Sequence, residues 1–183
     1  MNAGPPIASG ARRHLRAAVA KYRMLIRPAT DADRDAIWNI IAPIIRAGET
    51  YTLPRNMDKT AAIEYWRCEA HEVFVAEENG KIVGTYFLQA NQQGGGGHVA
   101  NCGYMTAVNA TGRGVARAMC EHSLGRARSR RFRAMQYNLV ISTNDRAVRL
   151  WQSFEFAIVG TLPKAFLHPT LGYVDAYIMY RDL

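Results

Sequence analysis

A chain of 183 residues that is 49% hydrophobic and 21% charged has the size and composition of one globular domain with a substantial core. Its longest apolar run, Ala36 to Ile45, is too short to span a bilayer and is broken by Asn39 and Pro43. Cys68, Cys102 and Cys120 are widely spaced without a C-x-x-C pair, and the five histidines show no ligand spacing, which argues against a disulfide framework or a structural metal and fits a reducing, cytoplasmic setting.

The net charge of +8 is unevenly placed. Arg12, Arg13, Arg16, Lys21 and Arg23 give residues 1–23 a charge of +5 with no acid, leaving +3 for the rest. Residues 1–23 therefore read as a basic extension, disordered or helical, ahead of a domain covering 24–183.

From Met24 the elements alternate. "MLIR" reads as a short strand ended by Pro28, after which Thr30 is a plausible helix cap and Ile37, Ile40, Ile41, Ile44 and Ile45 share a helical face. Pro43 is expected to kink or split that helix. "GETYTLPRNM" reads as a loop and Asp58 to Glu69 as a second helix. "HEVFVAEE" and "KIVGTYFLQAN" are strands joined at Asn79-Gly80, a strong hairpin signal. A glycine loop, Gly94 to Gly97, leads to the strand "HVANCGYMTAV".

Next comes "NATGRGVARAM", where two glycines flank Arg113 ahead of a helical stripe of Ala116, Met119, Cys120, Ser123, Leu124 and Ala127. "RAMQYNLVIS" is a strand, and "NDRAVRLWQSF" a helix capped by Asn144. "FAIVG" and "YVDAYIMY" close the chain as strands. The order βααβββαβαββ describes an α/β (α+β) single domain, whose central sheet is mixed, mostly antiparallel, twisted and flanked by helices.

The glycine turn poses the question of functional class. A Rossmann fingerprint lacks its third glycine here, and no Walker A string occurs. What is left is either a bare strand-to-helix corner or a cradle of backbone N–H groups for a phosphate, and two glycines around an arginine favour the cradle.

"TGRGVA", Thr111 to Ala116, resembles the pyrophosphate loop of the GNAT superfamily of acyl-CoA-dependent N-acetyltransferases, with Thr111 where that family usually has Arg or Gln. "NDRAVRLWQSFEF" is similar to the family's N-x-x-A-x-x-L-Y-x-x-x-G-F: Asn144, Ala147, Leu150 and Phe156 match, while Trp151 replaces Tyr and Glu155 replaces Gly. "IRPATDADRDAI" and "VFVAEENGKIVGTYFL" resemble the family's opening and its central hairpin. The likeness runs from Met24 to Leu183.

It implies acetyl-CoA as co-substrate, no metal, and a carrier entering between diverging parallel strands at about 98–107 and 133–141. Backbone at Met105 and Thr106 would pair with the pantetheine arm, with an N–H near Met105 stabilising the oxyanion. Thr111, Gly112, Arg113, Gly114, Val115 and Ala116 would form the pyrophosphate loop, and Asn144 would touch the pantetheine or thioester end. The reaction implied is direct attack of a primary amine on the thioester, without a covalent enzyme intermediate; a Cys102–His98 couple would sit about 13 Å apart along a strand, too far for proton transfer.

The strand 98–107 lacks the carboxylate many members carry there, so the general base is sought among Glu49, His98 and a water chain with Asn101 and Tyr104. Trp151 cannot act as an acid, leaving Tyr104, Tyr137, Tyr177 and Tyr180 as stand-ins. "GETYTLPRN" and "LPKAFLHPTLGYVDAY" are expected to line the acceptor side; Arg55 or Lys164 with Asp175 would suit an amino-acid-like small molecule.

The five arginines of "RARSRRFR" read as solvated cations at a helix's negative end, in preference to a nucleic-acid or 3′-phosphate site. The alternatives to an acetyltransferase are a catalytically weak CoA-binding sensor and, behind it, a nucleic-acid-binding protein. No membrane partner is expected, and a homodimer is one assembly common among similar proteins.

Overall fold

The computed structural model of the chain describes residue 1 and residues 24–183. The extension assigned to 1–23 lies, apart from residue 1, outside the described residues.

Seven strands form one sheet in the order β1-β2-β3-β4-β5-β7-β6. They are β1 (Leu25–Pro28), β2 (Glu72–Glu78), β3 (Lys81–Ala90), β4 (Val99–Thr106), β5 (Ala134–Ile141), β6 (Ala157–His168) and β7 (Gly172–Asp182). The helices are α1 (Arg34–Ala47), α2 (Lys59–Trp66), α3 (Val115–Ser129) and α4 (Asp145–Ser153). All pairings are antiparallel except β4 with β5.

Each face has its own core. On one, Ile37, Ile40, Ile41 and Ile45 of α1 and Ile63 and Trp66 of α2 pack on Val75, Phe87 and Met105. On the other, Val115, Met119, Cys120 and Leu124 of α3 and Trp151 of α4 pack on Tyr86, Cys102, Met135 and Tyr137. The side-chain alternation of the strands divides the two sets.

Local chemistry explains several boundaries. Asn79 and Gly80 both take positive φ, 52° and 75°, as a tight two-residue hairpin requires. Asp33 accepts from Thr30 N and Oγ1 and pairs with Arg27, tying β1 to the turn that starts α1.

One expectation is narrowed and one corrected. Pro43 does not split α1; it is exposed, and the Asn39 carbonyl that loses its partner also faces outward, where water can serve it. The strand read from "FAIVG" does not end at Gly160: β6 continues to His168. Register shifts at Ile158/Gly160 and Leu162/Phe166 absorb Pro163, and Lys164 bulges at φ 53° with its N–H held by Asp175 Oδ1 at 2.8 Å. An edge strand tolerates proline this way because one of its sides needs no ladder.

Candidate active site

β4 and β5 pair only at Val99–Ala134 and Ala100–Met135 and then part. Asn101 marks the fork: its side-chain amide donates to Gln136 O at 2.8 Å, replacing the ladder where the strands separate. Beyond it, β4 keeps its full antiparallel ladder to β3 and has no strand on its β5 side.

Asn91 N–H donates to Val99 O and Ala107 N–H to Val83 O, with no register shift between them. Strand alternation therefore turns the backbones of Asn101, Gly103 and Met105 toward β3, and those of Cys102, Tyr104 and Thr106 toward the gap. The donor expected near Met105 is thus not Met105's own N–H, which faces β3. Thr106, also expected here, does face the gap, together with Tyr104.

The mouth of the gap is the glycine turn. Gly112 and Gly114 adopt φ of 82° and 84°, conformations that side chains other than glycine's avoid. A β-carbon on Gly114 would point into open space, and one on Gly112 would lie 3.6 Å from Arg146 Nη2. Thr111 N–H and Arg113 N–H are committed to Val108 O and Ala110 O, both at 3.3 Å. Among the described residues, the amides of Gly112, Gly114, Val115, Ala116 and Arg117 have no carbonyl partner, so five donors open at the positive end of α3.

No acidic side chain occupies the first turn of α3, where one would compensate that charge. Instead Arg113, Arg117 and Arg146 surround it. Arg113 pairs with Glu78, and Arg117 donates to Ser153 Oγ at 3.0 Å while lying over the Phe154 ring. Arg117 and Arg146 escaped the sequence reading, although an arginine in a helix's first turn is itself a signal for an anion. Asn144 caps α4, accepting from Ala147 N–H at 3.3 Å.

The remaining candidates fall into different places. Tyr104 sends its hydroxyl into the α3 face, to Ser123 Oγ (2.7 Å) and Tyr137 Oη (3.1 Å); burial holds both phenols well above their usual range, so they stay protonated. Trp151 packs tilted against those two rings, with centroids 5.0 Å and 5.1 Å away, an aromatic floor rather than an acid. Glu49 is exposed just after α1, two residues before Tyr51, whose hydroxyl donates to Tyr104 O at 2.9 Å. The loop carrying Glu49 therefore lies against the open edge of β4.

His98 does not join this group. It is exposed at the far end of β4, about 23 Å along the strand from Met105, with Nδ1 3.1 Å from Gly95 O. Cys102 is buried and its thiol is pushed up to about 12 by desolvation, which leaves no thiolate for attack.

On the acceptor side, Arg55 folds back to donate to Arg46 O at 2.8 Å, at the end of α1. Lys164 and Asp175 lie together on the β6–β7 hairpin. The arginine cluster sits at the other end of α3 from the glycine turn, about 22 Å away, beyond the reach of a phosphate attached near a carrier bound at that turn. Arg126 and Arg130 there pair with Glu72. Among the described residues, no three His, Cys, Asp or Glu side chains gather as metal ligands, and no helix is long and apolar enough to cross a membrane.

An amide-lined turn at the mouth of a forked parallel strand pair defines a class of acyl-carrier-dependent transferases. The model of the acetyltransferase (GNAT) family matches residues 38–156, and the chain belongs to that family. It resembles a GCN5-related N-acetyltransferase from Kribbella flavida at 40% identity, with a TM-score of 0.83 over 87% of this chain and 98% of that one. It is also 31% identical over 98 residues to the N-acetyltransferase aca1 of Schizosaccharomyces pombe; the match takes in 53% of this chain and 47% of that protein, so the chain spans about half of that relative's length. The fold is shared with yncA of Salmonella typhimurium, solved with its cofactor acetyl-CoA, at 22% identity and a TM-score of 0.77 over 87% of this chain and 94% of that one.

Proposed function

We propose that the chain is an N-acetyltransferase that moves an acetyl group from acetyl-CoA to the primary amine of a small, amino-acid-like molecule, by direct attack in a ternary complex. The observation that carries this reading is the run of open backbone donors at Gly112 and Gly114 to Arg117, together with the β4 edge at Tyr104 and Thr106 that no strand pairs. A pyrophosphate fits the first and an extended amide-bearing arm the second. The acetyl-CoA carried by the Salmonella relative supports the same assignment.

The chain's own residues then divide the labour. Gly112 and Gly114 shape the turn, Arg117 and Arg146 add positive charge, and Asn144 keeps its amide nitrogen free at the β5 side of the mouth. A lysine-like amine costs about 4.6 kcal/mol to deprotonate at pH 7, so a base matters. Glu49, on the loop that lies along the open edge, is assigned that role, directly or through water. A thiol leaving group with a pKa near 8.5 departs without much help, and Trp151 at the usual acid position is compatible with turnover.

Lys164 and Asp175 on the hairpin, with Arg55 nearby in sequence to the Tyr51 loop, motivate the amino-acid-like acceptor. The test is release of free thiol from acetyl-CoA over a panel of amines. Release that depends on amino acids or close analogues supports the reading; turnover confined to polyamines or protein tails removes the acceptor, and absence of any acceptor favours a CoA-binding sensor instead.

A further inference from the structure

The chain lacks a strand carboxylate and an acid tyrosine at α4, yet one side-chain hydroxyl does reach the open edge of β4. Tyr51 lies in the segment after α1, its ring tilted 6.1 Å from Trp66 in the α1–α2 core, and its hydroxyl donates to Tyr104 O at 2.9 Å. That carbonyl belongs to the backbone turned toward the gap. Gly103 makes the approach possible: a β-carbon there would come within 3.3 Å of the Tyr51 oxygen and 2.5 Å of Phe87 Cε1. Glycine at 103 and tyrosine at 51 are therefore two halves of one arrangement.

We propose that Tyr51 is a catalytic hydrogen-bond donor to the thioester carbonyl oxygen, acting beside the Tyr104 N–H on the same strand edge; this rests on the acetyl-CoA reading above. When an extended arm pairs with β4, an N–H of that arm takes over the Tyr104 carbonyl. The phenol then turns about its own C–O bond to the new acceptor while its ring stays packed. Two donors on one edge supply what the Met105 N–H, bound to β3, does not.

The chemistry balances without a proton from tyrosine. The amine lone pair forms the C–N bond as the carbonyl pair moves onto oxygen, where the Tyr51 O–H and Tyr104 N–H meet the developing charge. The carbonyl re-forms, the C–S bond breaks with its electron pair leaving on sulfur, and the surplus amine proton passes to Glu49 or water. Burial raises the Tyr51 phenol above its ordinary value, so it keeps its proton throughout.

The test uses the full chain and acetyl-CoA labelled with ¹³C at the carbonyl. In the wild type the bound carbonyl resonance moves downfield of free acetyl-CoA. Tyr51→Phe binds with affinity within about threefold, loses the larger part of that displacement, and releases thiol about 100-fold more slowly with an unchanged pH profile. A Tyr51→Phe resonance equal to the wild type's overturns the proposal, as does a loss of affinity with turnover at saturation intact, which is what simple anchoring of the loop produces. If Tyr51→Phe does not fold, 3,5-difluorotyrosine at position 51 keeps the shape and strengthens the donor, moving the resonance further downfield; an unmoved resonance overturns the proposal. Failure of the wild type to bind acetyl-CoA defeats the functional reading itself, a result distinct from binding with an unperturbed carbonyl.

Discussion

The two edges of β4 make opposite use of the same backbone. Toward β3 every residue from Ala100 to Thr106 is in register, and the neighbouring side chains are packed; toward β5 strand pairing stops at Ala100, and beyond it the Tyr104 carbonyl meets only a side chain, the Tyr51 hydroxyl. The open edge is tolerated because the closed half is firmly held: Arg27 of β1 ties Glu77 of β2 to Asp33 in the turn that starts α1. Substitutions on the open half should accordingly change ligand affinity, and substitutions on the closed half should change stability. That contrast can be broken.

The largest expected effect is at Gly114. A valine there must either adopt φ near 84°, which β-branched residues avoid, or rearrange the turn that presents five amides. Losing two or more hydrogen bonds to charged phosphate oxygens costs about 4 kcal/mol, so acetyl-CoA affinity should fall about 1000-fold by titration calorimetry. Thermal stability should change less, by about 1 to 3 kcal/mol, the cost of a left-handed valine, since the β-carbon itself meets nothing within 4 Å. Unchanged affinity would remove the cradle, and with it the contrast.

Asp33 is the counterpart on the closed half. Arg27 grips both its oxygens at 2.8 and 2.9 Å, Thr30 donates to it twice, and its carboxyl is held well below the usual carboxylate range, chiefly by Arg27. Asp33→Ala should cost about 2 to 3 kcal/mol in urea unfolding while leaving acetyl-CoA affinity in the folded protein unchanged. The stabilisation is fully present above about pH 4 and is lost as acidification protonates the folded carboxyl. The difference between wild type and Asp33→Ala should therefore shrink below that pH; a difference constant to pH 2 would show that charge is not its source.

How much of this could be read beforehand depended on the range of the interaction. The Asn79-Gly80 hairpin, the Thr111–Ala116 turn and the Asn144 cap are local, set by φ preferences and by hydrogen bonds three residues apart, and the sequence announces them. Which backbone N–H near Met105 faces the gap is not legible locally: it depends on register, set by Asn91 and Ala107 outside the motif. Tyr51 meets Tyr104 across 53 positions, and only the packing of Phe87 against Gly103 explains why. β6 was cut short because proline and a left-handed lysine look like a loop until the strand is known to lie at the sheet's edge.

Arg146 offers the smallest effect and the finest discrimination. It stands in the first turn of α4, with Nη2 3.6 Å from the place a Gly112 β-carbon would take, and it is exposed. An exposed cation near a bound phosphate contributes about 1 kcal/mol at low salt, so Arg146→Ala should weaken acetyl-CoA binding about fivefold. Because the contribution acts through solvent, it should fade as ionic strength approaches 1 M, where the screening length is about 3 Å. The Gly114→Val defect should persist at that salt, since it comes from lost backbone geometry rather than from charge at a distance. If both defects faded together, the turn would be attracting the carrier by its general positive potential; if neither faded, Arg146 would be touching the ligand directly.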